Sequence, residues 1–200
     1  MAYDQDLIAG KLRRWETYLG RYRLPSWQDI PDFGLYMEQV VSLLREYLDY
    51  LPPELKDEQI ITPTAINNYV RNRVMPEPVK KRYYRPHIAY LLVICTLKQS
   101  LSLSMLSRVF PAGLSGEELP ERYEHFRQRQ ALCADFFVSQ VRLAGASILG
   151  HEDAGELAAR DTPELIVSMA ILSGFSRLLA EKLLLLDGKT LENGGSIELR

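Results

Sequence analysis

TPTAINNYVRNRVMPEPVKKRYYRPHIAYLLVICTLKQ, residues Thr62 to Gln99, packs three kinds of local signal into one run. Thr62-Pro63 opens a helix, because the hydroxyl can accept from an orphan amide and proline belongs at the first helical position. That helix is expected to run to about Arg73, with Ile66, Tyr69 and Val70 toward a core. Thr64, Asn67, Asn68, Arg71 and Asn72 then share the opposite face. Pro76 and Pro78 force extended backbone, and VKKRYYR follows with basic and aromatic residues. A further helix begins near Pro86 or His87. Its IAYLLVICTLKQ pattern is apolar nearly all round, which places it at the centre of a core.

Upstream, Ile8, Leu12, Trp15 and Leu19 recur at helical spacing and predict an amphipathic helix ending near Gly20. Arg21 to Phe33 is read as an irregular segment pinned by its aromatic residues. LYMEQVVSLLREYLDYL predicts a second helix with Leu35, Val40, Leu43, Leu44, Tyr47 and Leu51 on one stripe, stopped by Pro52-Pro53 and followed by the acidic connector ELKDEQ. Downstream, Ser102 or Ser104 caps a helix that packs Leu103, Leu106, Val109 and Phe110. Pro111 to Pro120 is turn-rich, with Ser115 and Glu118 spaced for a capping box. Glu121 to Leu149 is helical for about seven turns, with Leu132, Phe136, Phe137, Val141, Ala144 and Ile148 inward. A last apolar helix runs from a Thr162-Pro163 start to Leu186, Asp187-Gly188 ends it, and the tail from Lys189 is polar.

The 200 residues carry 24 Lys+Arg and 26 Asp+Glu, a net charge of −2 that offers no global attraction to nucleic acid. The average hides a division. Between Thr62 and Arg108 stand eight basic residues and one acidic residue, Glu77, a net of +7 that leaves −9 for the remainder. Since screening confines charge effects to about 8–10 Å, this segment is either a local phosphate-binding surface or a solvated basic face. The amide-rich helix face followed by the basic KKRYYR run favours nucleic acid. Asn can pair with adenine edges and Arg with guanine, while Lys80, Lys81, Arg82 and Arg85 are suited to phosphates. The tyrosines of that run either stack on sugar or close the core.

The same residues resemble MerR-type winged helix-turn-helix DNA-binding proteins over about residues 62–110. Thr62-Pro63, Ile66, Tyr69 and Pro76 match the start, apolar residue, aromatic residue and exit of that family's recognition helix. Arg82 and Tyr84 fall on its wing motif, and Ser100, Leu101, Ser102 and Leu103 on the pattern that starts its next helix. Asn67-Asn68 stand where that family has Arg-Tyr, so its base preference does not carry over. More broadly, WQDIPDFGLYMEQVVSLL, ITPTAINNYV and KKRYYRPHIAYLLVICTLKQ are similar to a bacterial domain-of-unknown-function family, number 1836, over roughly residues 25–185.

The resemblance implies a mainly α fold: a MerR-like winged helix-turn-helix module with a minimal β wing, embedded in helical N- and C-terminal extensions. The expected divisions are an N-terminal helix and irregular segment at 1–34, the DNA-binding module at 35–110, long helices at 121–188 and a frayed tail at 189–200. The implied function is a sequence-specific transcriptional regulator that binds double-stranded DNA through Thr64, Asn67, Asn68, Arg71, Asn72, Arg73, Lys80, Lys81, Arg82 and Arg85. In MerR-like proteins a long helix after this module pairs with its twin, which makes Glu121–Leu149 a candidate homodimer helix; it can equally pack on the last and first helices of its own chain. The alternative is a helical protein-interaction or ligand-sensing module without DNA binding, with an unknown small-molecule effector between Trp15, Phe137 and Phe175.

Catalytic chemistry finds no support in the spacing. His87, His125 and His151 lack metal-ligand partners at helical spacing, and no Walker, dinucleotide or GxSxG pattern occurs. Cys95 lies in an apolar helix and is expected to be inert. We therefore expect no enzyme activity, no metal and no cofactor. The opening MAYDQDLIAG lacks the basic head and apolar core of a secretory signal, and Ile88–Leu97 is read as the longest apolar run, so a cytoplasmic protein without a membrane partner is expected.

Overall fold

The computed structural model describes residues 5–48, 61–114, 116–150 and 155–185. The described chain is mainly helical. Its helices are α1 (Gln5–Arg21), α2 (Met37–Tyr47), α3 (Pro63–Arg71), α4 (Arg85–Leu97), α5 (Leu103–Val109), α6 (Glu118–Ala144), α7 (Ala146–Leu149) and α8 (Thr162–Leu185). Extended pairing among the described residues is limited to two isolated antiparallel bridges, Leu35 with Tyr83 and Val79 with Arg82.

Helix α4 is the centre of the core, as its all-round apolar pattern predicts: His87 to Cys95 are nine consecutive buried residues. Around it pack α2 and the start of α6, while α3 lies against α2. The core gathers Val40 and Leu44 from α2, Ile66 and Tyr69 from α3, Leu106 from α5, and Leu119 and Tyr123 from α6. Complete burial of a side chain such as Leu92 contributes about 2 kcal/mol, so this set is the main source of stability.

Residues 22–36 form a strap across this core. Its backbone carbonyls are held from other elements: the Tyr123 hydroxyl donates to Pro25 O at 2.8 Å, the Tyr47 hydroxyl to Asp29 O at 3.3 Å and Arg85 Nε to Ile30 O at 2.8 Å. The Trp27 amide donates to Glu124 Oε1 at 2.6 Å. The expected aromatic pinning is present, with Trp27 6.0 Å from Tyr123 between ring centroids. An irregular segment can lie buried only when its carbonyls find donors in this way.

Several local expectations need correction. Leu35 lies before α2, in backbone pairing with Tyr83, rather than on the helical stripe; Leu51, Pro52-Pro53 and the acidic connector fall outside the described residues. Val109 is exposed while Leu106 and Phe110 are buried. Ser102 does cap α5, its hydroxyl accepting from the Met105 amide. Asp161, rather than Thr162, caps α8, since Asp161 Oδ1 accepts from the Glu164 amide at 2.9 Å. Ser115, the 151–154 turn, Asp187-Gly188 and the tail lie outside the described residues.

The largest correction concerns α6. Leu132, Phe136 and Phe137 are exposed, and the inward face of its second half is Ala134, Val138, Val141 and Ala144. Small side chains are needed there because α1 packs closely against it, Leu19 sitting with Ala134 and Val138. An ion pair between Arg142 and the buried Glu16 completes the contact. The helix ends at Gly145 instead of continuing to Leu149.

Among the described residues of α8 the buried side chains lie at its start, where Leu165 meets Ala144 and Ala159. Beyond it Ile166, Val167, Ile171, Leu172, Phe175, Leu178 and Leu179 are exposed. Thr162–Glu181 is long and apolar enough to cross a membrane, which corrects the expectation that no stretch reaches that length.

Candidate nucleic-acid interface

The candidate surface starts from the cap predicted at Thr62. Thr62 Oγ1 accepts from the Ala65 amide at 3.1 Å, and Pro63 follows at the first helical position. Ile66 and Tyr69 turn into the core and anchor α3 by that face. Burial pushes the Tyr69 phenol up to about 12. Thr64, Asn67, Arg71 and Asn72 are exposed on the opposite side, and Asn68 is half-buried. No carboxylate stands on α3, so nothing on this helix repels a phosphate.

The end of α3 is a Schellman motif. Val74 N donates to Tyr69 O and Arg73 N to Val70 O, each at 2.9 Å, while Val74 and Tyr69 are both buried. The left-handed residue in this motif is ordinarily glycine. Here it is Arg73, with φ of 56°.

Six residues beyond Arg73, Val79 and Arg82 exchange both backbone hydrogen bonds, at 3.0 and 2.9 Å, across Lys80 and Lys81. Both lysines are left-handed, with φ of 49° and 62°, which is a two-residue hairpin turn of type I′. Tyr83 next pairs with Leu35, at 2.8 and 2.9 Å, and ties the hairpin to the residue before α2. His87 secures the other side: its Nδ1 accepts from the Tyr84 amide at 3.0 Å, which leaves Nε2–H to donate to Glu77 O at 2.9 Å. The ring bridges the start of α4 to the segment leading into the turn.

The ten expected site residues separate into three groups. Thr64, Asn67, Asn68 and Arg71 share the outer part of α3, with its C-cap Asn72 and Arg73 just beyond. Lys80 and Lys81 are exposed at the hairpin tip and, like Arg73, make no side-chain hydrogen bond or ion pair among the described residues. Arg82 and Arg85 are turned toward the strap. Arg82 donates to Gly34 O at 3.1 Å and to the Tyr36 hydroxyl at 2.6 Å, its guanidinium 4.2 Å from the Tyr36 ring centroid. A Cβ at position 34 would lie 2.7 Å from Arg82 Cδ, so glycine is required for this approach. Arg85 holds Ile30 O, lies 3.7 Å from Asp32 and stacks 5.9 Å from the Trp27 ring. Gly34, Tyr36 and Trp27 carried no sequence signal for these roles, since their partners lie 46 to 58 positions away in the chain.

A family described as Domain of unknown function (DUF1836) matches residues 25–126. The chain belongs to the DUF1836 family. The DUF1836 match is shorter than the resemblance over 25–185, and the structure supplies a reason. The main core cluster runs from Leu24 to Tyr123, with Phe126 packed against it. The DUF1836 unit thus coincides with one hydrophobic core, including the strap, the hairpin and the first turns of α6. Helix α1, the second half of α6 and α8 lie outside it. No curated protein and no solved structure matches the chain.

Among the described residues, no group of three or more His, Cys, Asp and Glu side chains could hold a metal. Cys95 is buried and its thiol is pushed up to about 12, so it stays protonated and inert at neutral pH. Phe137 and Phe175, expected to line an effector pocket, are exposed. A groove of about 600 Å³ lies elsewhere, between the end of α5 and the start of α6, lined by Val109, Phe110 and Phe126 with Arg122, His125 and Arg129.

Proposed function

We propose that this protein is a sequence-specific DNA-binding transcriptional regulator of winged helix-turn-helix type. Helix α3 serves as the recognition helix and the Val79–Arg82 hairpin as the wing. One observation carries the reading. Every non-glycine residue with positive φ among the described residues is a cation: Arg73, Lys80 and Lys81. A left-handed conformation costs a residue with a Cβ about 1 kcal/mol, and Asn-Gly would satisfy the hairpin at a lower cost, since glycine has no Cβ and asparagine tolerates this region. Strain retained at three positions, all cationic and all exposed, is accounted for by long positive side chains projecting at phosphates. Phosphate contact is accordingly assigned to Arg73, Lys80 and Lys81, while Arg82 and Arg85 hold the strap on which the hairpin rests.

The test pairs enrichment of binding sites from a genomic DNA pool with the double variant Lys80→Asn, Lys81→Gly. The variant is expected to unfold at higher temperature, gaining about 1 kcal/mol, and to bind DNA more weakly with a salt slope smaller by about two. Unchanged affinity and slope would remove the wing assignment.

The exposed apolar side chains of α6 support a homodimer through residues 121–149. Leu132, Phe136 and Leu143 lie four and seven positions apart, near the spacing of a helix-pairing seam, and all are exposed. A dimer would present two copies of α3 to a two-fold-symmetric site. Mass measured in solution checks it, with Phe136→Glu expected to shift the population to monomer.

A further inference from the structure

Three side chains on α3 and its C-cap look interchangeable in sequence, Asn67, Asn68 and Asn72, and each has the amide that pairs with adenine. Their hydrogen bonds separate them. Asn68 Oδ1 accepts from Arg71 Nη2 at 2.7 Å and from Asn72 Nδ2 at 2.9 Å. Asn72 Nδ2 also donates to Asn68 O at 2.8 Å. The orientation of the Asn68 amide is set by this network, since its oxygen faces two donors. A carbonyl oxygen has two lone pairs and an amide nitrogen two hydrogens, so Asn68 has no acceptor left and Asn72 no donor. Pairing with adenine requires an amide that accepts from N6 and donates to N7 at once. Neither can do it. Asn67 can, because it is exposed and neither atom of its amide is committed among the described residues.

Arg71 spends one of five N–H groups on Asn68 and keeps the others. Its partner is a neutral amide rather than a carboxylate, so the guanidinium is held without being neutralised. A long side chain fixed in this way loses less rotamer freedom when it docks a base. We infer that Arg71, positioned by Asn68, reads a guanine and that Asn67 reads an adenine, with Asn68 and Asn72 acting as the clamp rather than as readers. This assignment rests on the DNA-binding reading above. Residues 67 and 71 are one helical turn apart, about 6 Å along α3. With base pairs stacked about 3.4 Å apart, the guanine and the adenine should lie within about two steps of each other.

The experiment first enriches sites for the wild-type protein. It then measures binding of Arg71→Ala, Asn67→Ala and Asn68→Ala to the enriched duplex and to duplexes changed one base at a time, at several salt concentrations. Arg71→Ala should lose roughly tenfold or more of the discrimination at one guanine and none at the adenine. Asn67→Ala should do the reverse. Asn68→Ala should lower discrimination at the guanine alone, with the adenine preference and the salt slope unchanged, whereas general damage to α3 would degrade both. If Arg71→Ala weakens every sequence equally and lowers the salt slope by about one, Arg71 is a phosphate contact and the assignment is overturned. A motif lacking guanine at the affected position overturns it as well. Failure of the wild-type protein to enrich any motif removes the DNA-binding reading itself, an outcome distinct from either.

Discussion

Helices α4 and α8 have nearly the same kind of sequence and opposite environments. IAYLLVICTL and LIVSMAILSGFSRLLA are both apolar around most of the helix circumference. Yet α4 is buried from His87 to Cys95, while α8 leaves Phe175 65% exposed and Leu178 60% exposed. The difference lies in what surrounds each. Around α4 stand α2, α6 and the strap, each contributing one apolar face. Around α8, among the described residues, the short α5 makes contact, and Leu165 near its start meets Ala144 and Ala159 with Leu12 and Ile148 beside them. All-round apolarity therefore predicts that a helix needs cover, and leaves open whether the same chain supplies it.

The sharpest way to break this comparison is a pair of matched truncations. Leu92→Ala in α4 should cost about 3 kcal/mol in denaturant unfolding, because it leaves a cavity in a filled core. Leu178→Ala in α8 should change the stability of the isolated chain by less than about 0.5 kcal/mol. Comparable losses would mean that α8 is covered in solution.

The same contrast divides α6 along its length, with a smaller expected effect. Tyr123→Phe, in its first turns, should cost about 1–2 kcal/mol, since Pro25 O would lose its donor in a buried setting. Phe136→Ala, four turns later on the exposed side, should leave thermal unfolding of the monomer nearly unchanged while altering the mass in solution. Equal losses from both would place the second half of α6 in the core.

The two cysteines offer the mildest probe. Cys133 in α6 is exposed and should react with a thiol reagent in the folded protein, whereas Cys95 in α4 should react only after unfolding. Burial raises the Cys95 thiol from 9 to about 12, so the unfolded chain releases that proton first. Stability from this group is full below about pH 9 and falls as pH rises toward 12, with Tyr69 adding to the loss above about pH 10. Cys95→Ala should flatten the fall between pH 9 and 10. An unchanged alkaline profile would show that the thiol ionises as easily folded as unfolded.

Much of the architecture was readable along the chain where the deciding interaction is local. Thr62 and Ser102 cap their helices because the amides they accept from are three residues away. Burial of α4 followed from the absence of any polar face. In α6 the inward positions Val141 and Ala144 were readable, whereas those one and two turns earlier were not, because bulk argued for Leu132 and Phe136 inward while close approach of α1 selected Ala134 and Val138. For the candidate surface, the basic segment and the amide-rich helix face were visible in composition and spacing. What divides those residues was not. Arg82 and Arg85 resemble Lys80 and Lys81 in sequence, and only partners about fifty residues away turn them toward the strap.

Sequence by itself determined the helical periodicity, the caps at Thr62 and Ser102, the +7 segment between Thr62 and Arg108 and the inertness of Cys95, since each depends on neighbours within a few residues or on composition. Tertiary structure alone decided three further things. It put Lys80 and Lys81 in left-handed backbone, which a Lys-Lys pair does not signal and pairing of Tyr83 with Leu35 supports. It committed Asn68 and Asn72 to a clamp and left Asn67 open. It left the apolar surface of α8 in solvent, because burial requires a second surface and no single segment can specify one.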